Sequence, residues 1–84
     1  MNINTTPLTI LPLRSDFHIV PRGHQWIVKQ EHRIQPVGWH FTKLEAIAHG
    51  MKQARDGAVS LIIHGRDGRI QRVYSYDDWV WPHD

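Results

Sequence analysis

The chain has 84 residues, no cysteine, and a formal net charge of +2 from ten Lys and Arg against eight Asp and Glu. This length predicts a single domain with one modest core. The lack of cysteine excludes disulfides, thiol nucleophiles and thiolate metal sites and is typical of a reducing compartment, so we expect a cytoplasmic protein. No apolar run reaches the ~20 residues that span a bilayer, and we expect no membrane partner.

The predicted domain occupies residues 17–76. Before it, residues 1–16 are expected to form an extended arm, because Pro7 and Pro12 interrupt any helical period. After it, residues 77–84 form an aromatic and acidic tail. The chain therefore divides into an arm, one small domain and a tail.

Two runs near the start of the domain predict strands, and the first of them alternates in a strand-like way. They are Phe17–Val20 and Trp26–Lys29, and the turn residues Pro21, Arg22 and Gly23 lie between them. This pattern predicts a hairpin with Arg22 and Gly23 at its tip. A further strand is expected through residues 38–41.

The next segment predicts a helix. Thr42 and Glu45 have the spacing of a capping box, and Gly57 stands where a glycine commonly ends a helix. Gly50 costs about 1 kcal/mol relative to alanine in a helix interior, which indicates close packing on a sheet. The expected apolar stripe is made of Leu44, Ile47, Ala48, Met51 and Ala54 or Arg55.

A second hairpin is expected after the helix. Its strands are Val59–His64 and Ile70–Tyr74, and Asp67-Gly68 is a strong signal for the tight turn between them. Together these elements predict an α+β fold of order ββαββ. In that fold, an antiparallel sheet of two hairpins carries one helix on one face.

The two turns also predict which side chains share a face of the sheet. The face under the helix is expected to carry Phe17, Ile19, Trp26, Val28, Leu61, Ile63, Ile70 and Tyr74. The other face, called the second face below, has an apolar centre. Open apolar patches mark contacts, so we expect the arm segment 8–13, the tail segment 79–81 or a second copy of the protein to cover it. The candidate interface residues are Val20, Ile27, Ile62, Val73, Trp79 and Trp81.

Four motifs in this order resemble a family of short bacterial proteins known only as a domain of unknown function. They are His18-x-Val20-Pro21, Trp26-x-Val28-Lys29, Thr42-Lys43-x-Glu45-Ala46 and the run from Ile63 to Ile70, which reads Ile-His-Gly-Arg-Asp-Gly-Arg-Ile. The resemblance covers residues 17–76 and implies a fold but no activity. The long arm, the insertion near residues 35–38 and the Trp-rich end depart from the family pattern.

The run from His64 to Arg69 has two readings. Three cationic or titratable groups flank a tight turn, which suits an anion, and Arg pairs well with phosphate. The same residues also suit a soluble hairpin tip. The candidate anion or nucleic-acid site is made of His64, Arg66, Arg69, Arg22 and Lys29. Trp39 is available for base stacking, but the second face is expected to lack the aromatic pair of sheet-based RNA readers.

No catalytic residue, metal site or cofactor is predicted. Ser60 and Ser75 lack a nucleophile motif, and no glycine-rich phosphate loop precedes the helix. We therefore expect a non-enzymatic interaction module that acts by self-association or by docking on a protein. The alternative is nucleic-acid or polyanion binding through the Arg-rich hairpin tip.

Overall fold

A computed structural model describes residues 14–77 of the chain. Segment 8–13, Trp79 and Trp81 lie outside the described residues, together with the covering contacts expected of them. The described elements are β1 (Phe17–Arg22), β2 (Gln25–Gln30), β3 (Gly38–His40), α1 (Lys43–Gly57), β4 (Ser60–His64) and β5 (Ile70–Ser75). No helix among them has the length and apolarity needed to cross a membrane.

The fold is α+β with one helix, as predicted, but its sheet is mixed. The strand order is β3-β2-β1-β4-β5, and the central pair β1 and β4 is parallel. The prediction of a wholly antiparallel sheet is therefore wrong. The helix returns the chain to the end of the sheet where β1 starts, so β4 runs beside β1 in the same direction. With β3 included, the order is βββαββ rather than ββαββ.

The first hairpin is shifted by two residues from its predicted register. Arg22 pairs with Gln25, so the loop is Gly23 and His24 instead of Arg22 and Gly23. Gly23 has a φ of +62°, which glycine adopts without strain. A shift of two residues preserves the alternation of a strand, so each side chain keeps its predicted face.

The second hairpin contains an irregularity that reverses the predicted orientation of Ile70. Ile63 pairs with Arg72, but His64 pairs with Ile70, so Gln71 is an extra residue in β5. Ile70 was expected under the helix and is 60% exposed on the second face instead. A bulge of one residue changes the phase of the alternation, and the sequence pattern does not reveal it.

The core lies between α1 and one face of the sheet, where it was predicted. Its buried sheet residues are Phe17, Ile19, Trp26, Val28, Leu61 and Ile63. The predicted helix stripe is partly wrong, because Leu44 is 76% exposed while Ala46, Gly50 and Ala54 are buried. Small side chains face the sheet because α1 lies close to it.

The ends of α1 match the sequence signals to within one residue. The Thr42 hydroxyl accepts a hydrogen bond from the Glu45 backbone N–H at 3.1 Å, as the capping box predicts. At the other end, Ala58 takes the left-handed conformation expected of Gly57, with a φ of +56°. Gly57 is the last helical residue.

Candidate functional site

Both hairpin loops and the start of α1 lie at one end of the sheet, called the tip end below (residues 22–24, 41–45 and 65–69). β1 and β4 are parallel, so the loops that follow them leave the sheet at the same end. β3 also ends there, because it is antiparallel to β2 and so runs in the direction of β1. The Arg66 guanidinium donates a hydrogen bond to the Gly23 carbonyl at 3.3 Å and so joins the two hairpin tips.

Four cations belong to the tip end: Arg22, Lys43, Arg66 and Arg69. Two of them rest on Trp26, a core residue that is 6% exposed. Lys43 Nζ lies 4.8 Å from the centroid of the indole ring, and Arg66 Cζ lies 5.0 Å from it. Such cation–π contacts hold each charge in place without neutralising it.

Most cations of the tip end have no carboxylate partner among residues 14–77. Arg69 Nε lies 3.8 Å from Asp67 Oδ2, but Arg22, Lys43 and Arg66 form no ion pair within the described residues. The other end of the sheet, called the base end, holds Asp16, Glu31, Asp56 and Asp77, each in an ion pair. The tip end as defined above therefore carries four cations and two carboxylates, Glu45 and Asp67, and three of its cations are unpaired within the described residues.

Trp39, the ring that the sequence offers for base stacking, lies on the second face. It pairs with Ile27 across β3 and β2, which places both side chains on the second face. The Trp39 side chain is 48% exposed, and Arg22 Cζ lies 5.8 Å from the centroid of its ring. Phe41, where the chain leaves β3, is 78% exposed.

The structure brings together three of the five predicted anion-site residues: Arg22, Arg66 and Arg69 are all at the tip end. His64 lies on the second face and adjoins the tip end through its hydrogen bond to the Gly68 carbonyl. Lys29 lies on the second face near the end of β2, opposite His18. The sequence analysis missed Lys43 because it is the first helical residue and was read only as part of a capping motif. Its position at a helix start after a strand is the signal that could have indicated it.

The predicted interface residues differ in how much surface they offer. Val73 is 53% exposed, and Val20 and Ile62 are half-buried. Ile27 is fully buried and has no surface for a partner. Trp79 and Trp81 lie outside the described residues.

Two histidines on the second face belong to a chain of three hydrogen bonds. His18 Nε2 lies 2.6 Å from Glu31 Oε2, His18 Nδ1 lies 2.8 Å from His64 Nε2, and His64 Nδ1 lies 3.0 Å from the Gly68 carbonyl. The Gly68 carbonyl and, when ionised, the Glu31 carboxylate are the acceptors at the two ends of this chain. All four ring nitrogens are engaged, which leaves none free for a substrate or a metal.

A second histidine pair lies beside α1. His40 Nε2 is 2.9 Å from His49 Nδ1, and burial together with the charge of His40 lowers the pKa of His49. Gly38 makes room for this pair, because a Cβ atom there would lie 2.5 Å from the His49 ring. Within residues 14–77, no group of three His, Asp or Glu residues is placed to hold a metal ion.

A family model of uncharacterised proteins conserved in bacteria, DUF2188, matches residues 17–76. The chain belongs to the DUF2188 family. The resemblance that the four motifs indicated is thereby confirmed, and DUF2188 carries no assigned activity. A search of curated proteins and a search of solved structures each found no match to the chain.

Acid is expected to destabilise this DUF2188 domain in two steps. The hydrogen bond from His18 lowers the pKa of Glu31 below its ordinary value of 4.5, and the pKa of His49 lies below 6.5. Both groups have a lower pKa in the folded state than in the unfolded state. Each therefore contributes its full stabilisation above its unfolded-state pKa, and that stabilisation is lost as the pH falls through its folded-state pKa. Urea unfolding across this pH range measures both steps.

The step below pH 4.5 should be absent from Glu31→Gln, whose side chain cannot ionise. We expect a step of about 1 kcal/mol, because the Glu31 side chain is 36% exposed and solvent weakens the pair. Glu45→Gln makes the same chemical change at an exposed position and should keep the step. An unchanged acid step in Glu31→Gln would refute the role of the His18–Glu31 pair.

Proposed function

We propose that this domain is a non-enzymatic module that binds the phosphate backbone of a nucleic acid through its tip end. The observation that carries the proposal is the convergence of Arg22, Lys43 and Arg66 at one end, without an ion pair in the described part of the chain. Guanidinium groups suit phosphate because they donate two parallel hydrogen bonds. A polyanion would pair with the three tip-end cations that have no ion pair within residues 14–77.

The rest of the domain supports the same orientation. The N-terminus of α1 is at the tip end, and its exposed N–H groups and helix dipole favour an anion. The carboxylates of the base end are paired and lie at the far side of the sheet. A phosphate chain is therefore attracted by the cations of the tip end. It meets fewer carboxylates there than at the base end, so it is repelled less.

Several contacts support a role without catalysis. The ring nitrogens of His18 and His64 are all hydrogen-bonded within the domain, so neither ring offers a free nitrogen to a substrate. Ser60 Oγ accepts a hydrogen bond from Arg14 and donates to Ser75 Oγ, so its described partners include no general base. A binding module needs neither group.

The charge of the site limits its affinity. Non-specific DNA binding has a Kd of about 10⁻⁴–10⁻⁶ M, and the logarithm of the binding constant falls with salt by about 0.9 for each phosphate neutralised in duplex DNA. With up to four cations at the tip end, we expect a slope between about −2 and −4. Weak binding that disappears between about 50 and 200 mM salt is the expected behaviour.

The first test is a titration of a labelled oligonucleotide at both salt concentrations. We expect Arg22→Gln and Arg66→Gln each to weaken binding by about 3- to 10-fold and to reduce the salt slope by about 1. The control is Arg55→Gln in the last turn of α1, which removes the same single charge away from the tips. If the control weakens binding as much as the tip variants do, net charge rather than the tip end accounts for it.

A second candidate function is protein docking or self-association through the second face. Ile70 and Val73 favour it, because they are 60% and 53% exposed on the outer strand β5. Apolar side chains clustered on one face mark contact surfaces. Light scattering after size-exclusion chromatography tests self-association, and a monomer at high concentration would exclude it.

A further inference from the structure

Trp39 stands out because it is a large aromatic residue that the fold leaves accessible. It lies on β3, which is the outer strand of the described sheet and has only three residues. Its neighbour in the register, Ile27, is fully buried, whereas the Trp39 side chain is 48% exposed. The indole ring therefore borders the packed centre of the second face and keeps surface in contact with solvent.

The cation nearest to this ring is also one of the tip-end cations. Arg22 Cζ lies 5.8 Å from the Trp39 centroid, and Arg22 forms no ion pair within residues 14–77. A flat hydrophobic ring and an unpaired guanidinium thus lie side by side. Bases stack on aromatic rings, and phosphates pair with guanidinium groups. Proteins that bind single strands combine these two kinds of group.

A second exposed aromatic lies on the path from Trp39 to the tip end. Phe41 follows β3 directly and is 78% exposed just before the N-cap of α1. Trp39 and Arg22 are called the stacking platform below. An apolar protein surface is a poor occupant of this platform, because it would bury the charge of Arg22 without pairing it.

We infer that the stacking platform binds unpaired bases, so that the preferred ligand of the tip end is single-stranded nucleic acid. This inference rests on the proposed phosphate binding and adds the class of ligand to it. In a duplex the bases are paired and stacked on one another, so their faces are not available to Trp39. Duplex DNA can therefore use the cations of the tip end but not the platform.

The experiment compares a single strand with a duplex that carries the same number of phosphates, at low salt. We expect the single strand to bind more tightly. Trp39→Ala should weaken single-strand binding by about 5- to 150-fold, the effect of losing one stacked base, and leave duplex binding unchanged. Trp39→Phe should retain most of the binding, because a phenyl ring also stacks.

Two controls separate stacking from damage to the fold. Ile34 is 92% exposed in the loop between β2 and β3, so Ile34→Ala removes an exposed apolar side chain near the base end and should bind like the wild type. Thermal unfolding of Trp39→Ala should match the wild type to within a few degrees, because its ring is half exposed.

Each result decides a different claim. Equal binding of single strand and duplex, both unaffected by Trp39→Ala, would overturn the stacking platform and leave phosphate binding in place. Equal weakening of both ligands in a folded Trp39→Ala variant would also overturn it. If neither ligand binds at low salt, the proposed function itself fails and the platform fails with it.

Discussion

Leu61→Ala is expected to lower the free energy of unfolding by about 2–5 kcal/mol. Leu61 is fully buried in β4, between Phe17 of β1 and Tyr74 of β5 in the sheet register. Its side chain also lies under α1, near Gly50. Truncation removes its buried surface and leaves a cavity in a core where neighbouring residues are held by both the helix and the sheet.

This loss is large for so short a chain. A domain of this length has a free energy of unfolding of about 4–13 kcal/mol, so Leu61→Ala removes a large part of it. Leu44→Ala is the matched control, because it makes the same change at a side chain that is 76% exposed. We expect less than about 0.5 kcal/mol there. Urea unfolding of both variants measures the difference, and similar losses would contradict the placement of the core.

The faces of the sheet could be predicted because they depend on local alternation. Phe17, Ile19, Trp26, Val28 and Leu61 are all under the helix, as the sequence analysis expected. The hairpin register was wrong by two residues, yet no side chain of β1 changed face, because the alternation has a period of two. Ile70 escaped prediction because the extra residue in β5 changed that period locally.

The neighbours of each hairpin could not be predicted from alternation. The apolar and polar patterns of β1 and β4 do not indicate that these strands pair, or that they pair in parallel. The parallel pairing follows from the path of the chain through α1, which is a property of the whole fold. It also determines the candidate site, because it brings Arg22 and Arg66 to the same end.

The candidate site was therefore only partly visible in the sequence. Arg22, Arg66 and Arg69 were identified from turn signals, since loops and cations are local features. Lys43 and Trp39 were not assigned to the site, because each contacts a residue that is distant in the chain, Trp26 and Arg22 respectively. Such contacts appear only when the strands are placed side by side.

Gly50→Val is expected to destabilise the domain by about 1–3 kcal/mol through overpacking. A Cβ atom at Gly50 would lie 2.7 Å from Ile19 Cδ1 and 2.8 Å from Leu61 Cδ1, closer than carbon atoms pack. The better helix propensity of a non-glycine residue offsets only part of this cost. Ala48→Val places the same side chain on the exposed side of α1 and should cost much less.

The double variant Gly50→Val, Leu61→Ala tests the contact directly. Leu61→Ala removes the methyl group that the new side chain would strike, and the cavity it leaves can accept part of the valine. We therefore expect the double variant to be more stable than the sum of the single losses predicts, by about 0.5–3 kcal/mol, as residues in contact are not additive. Additive losses would show that α1 does not rest on Leu61 at Gly50.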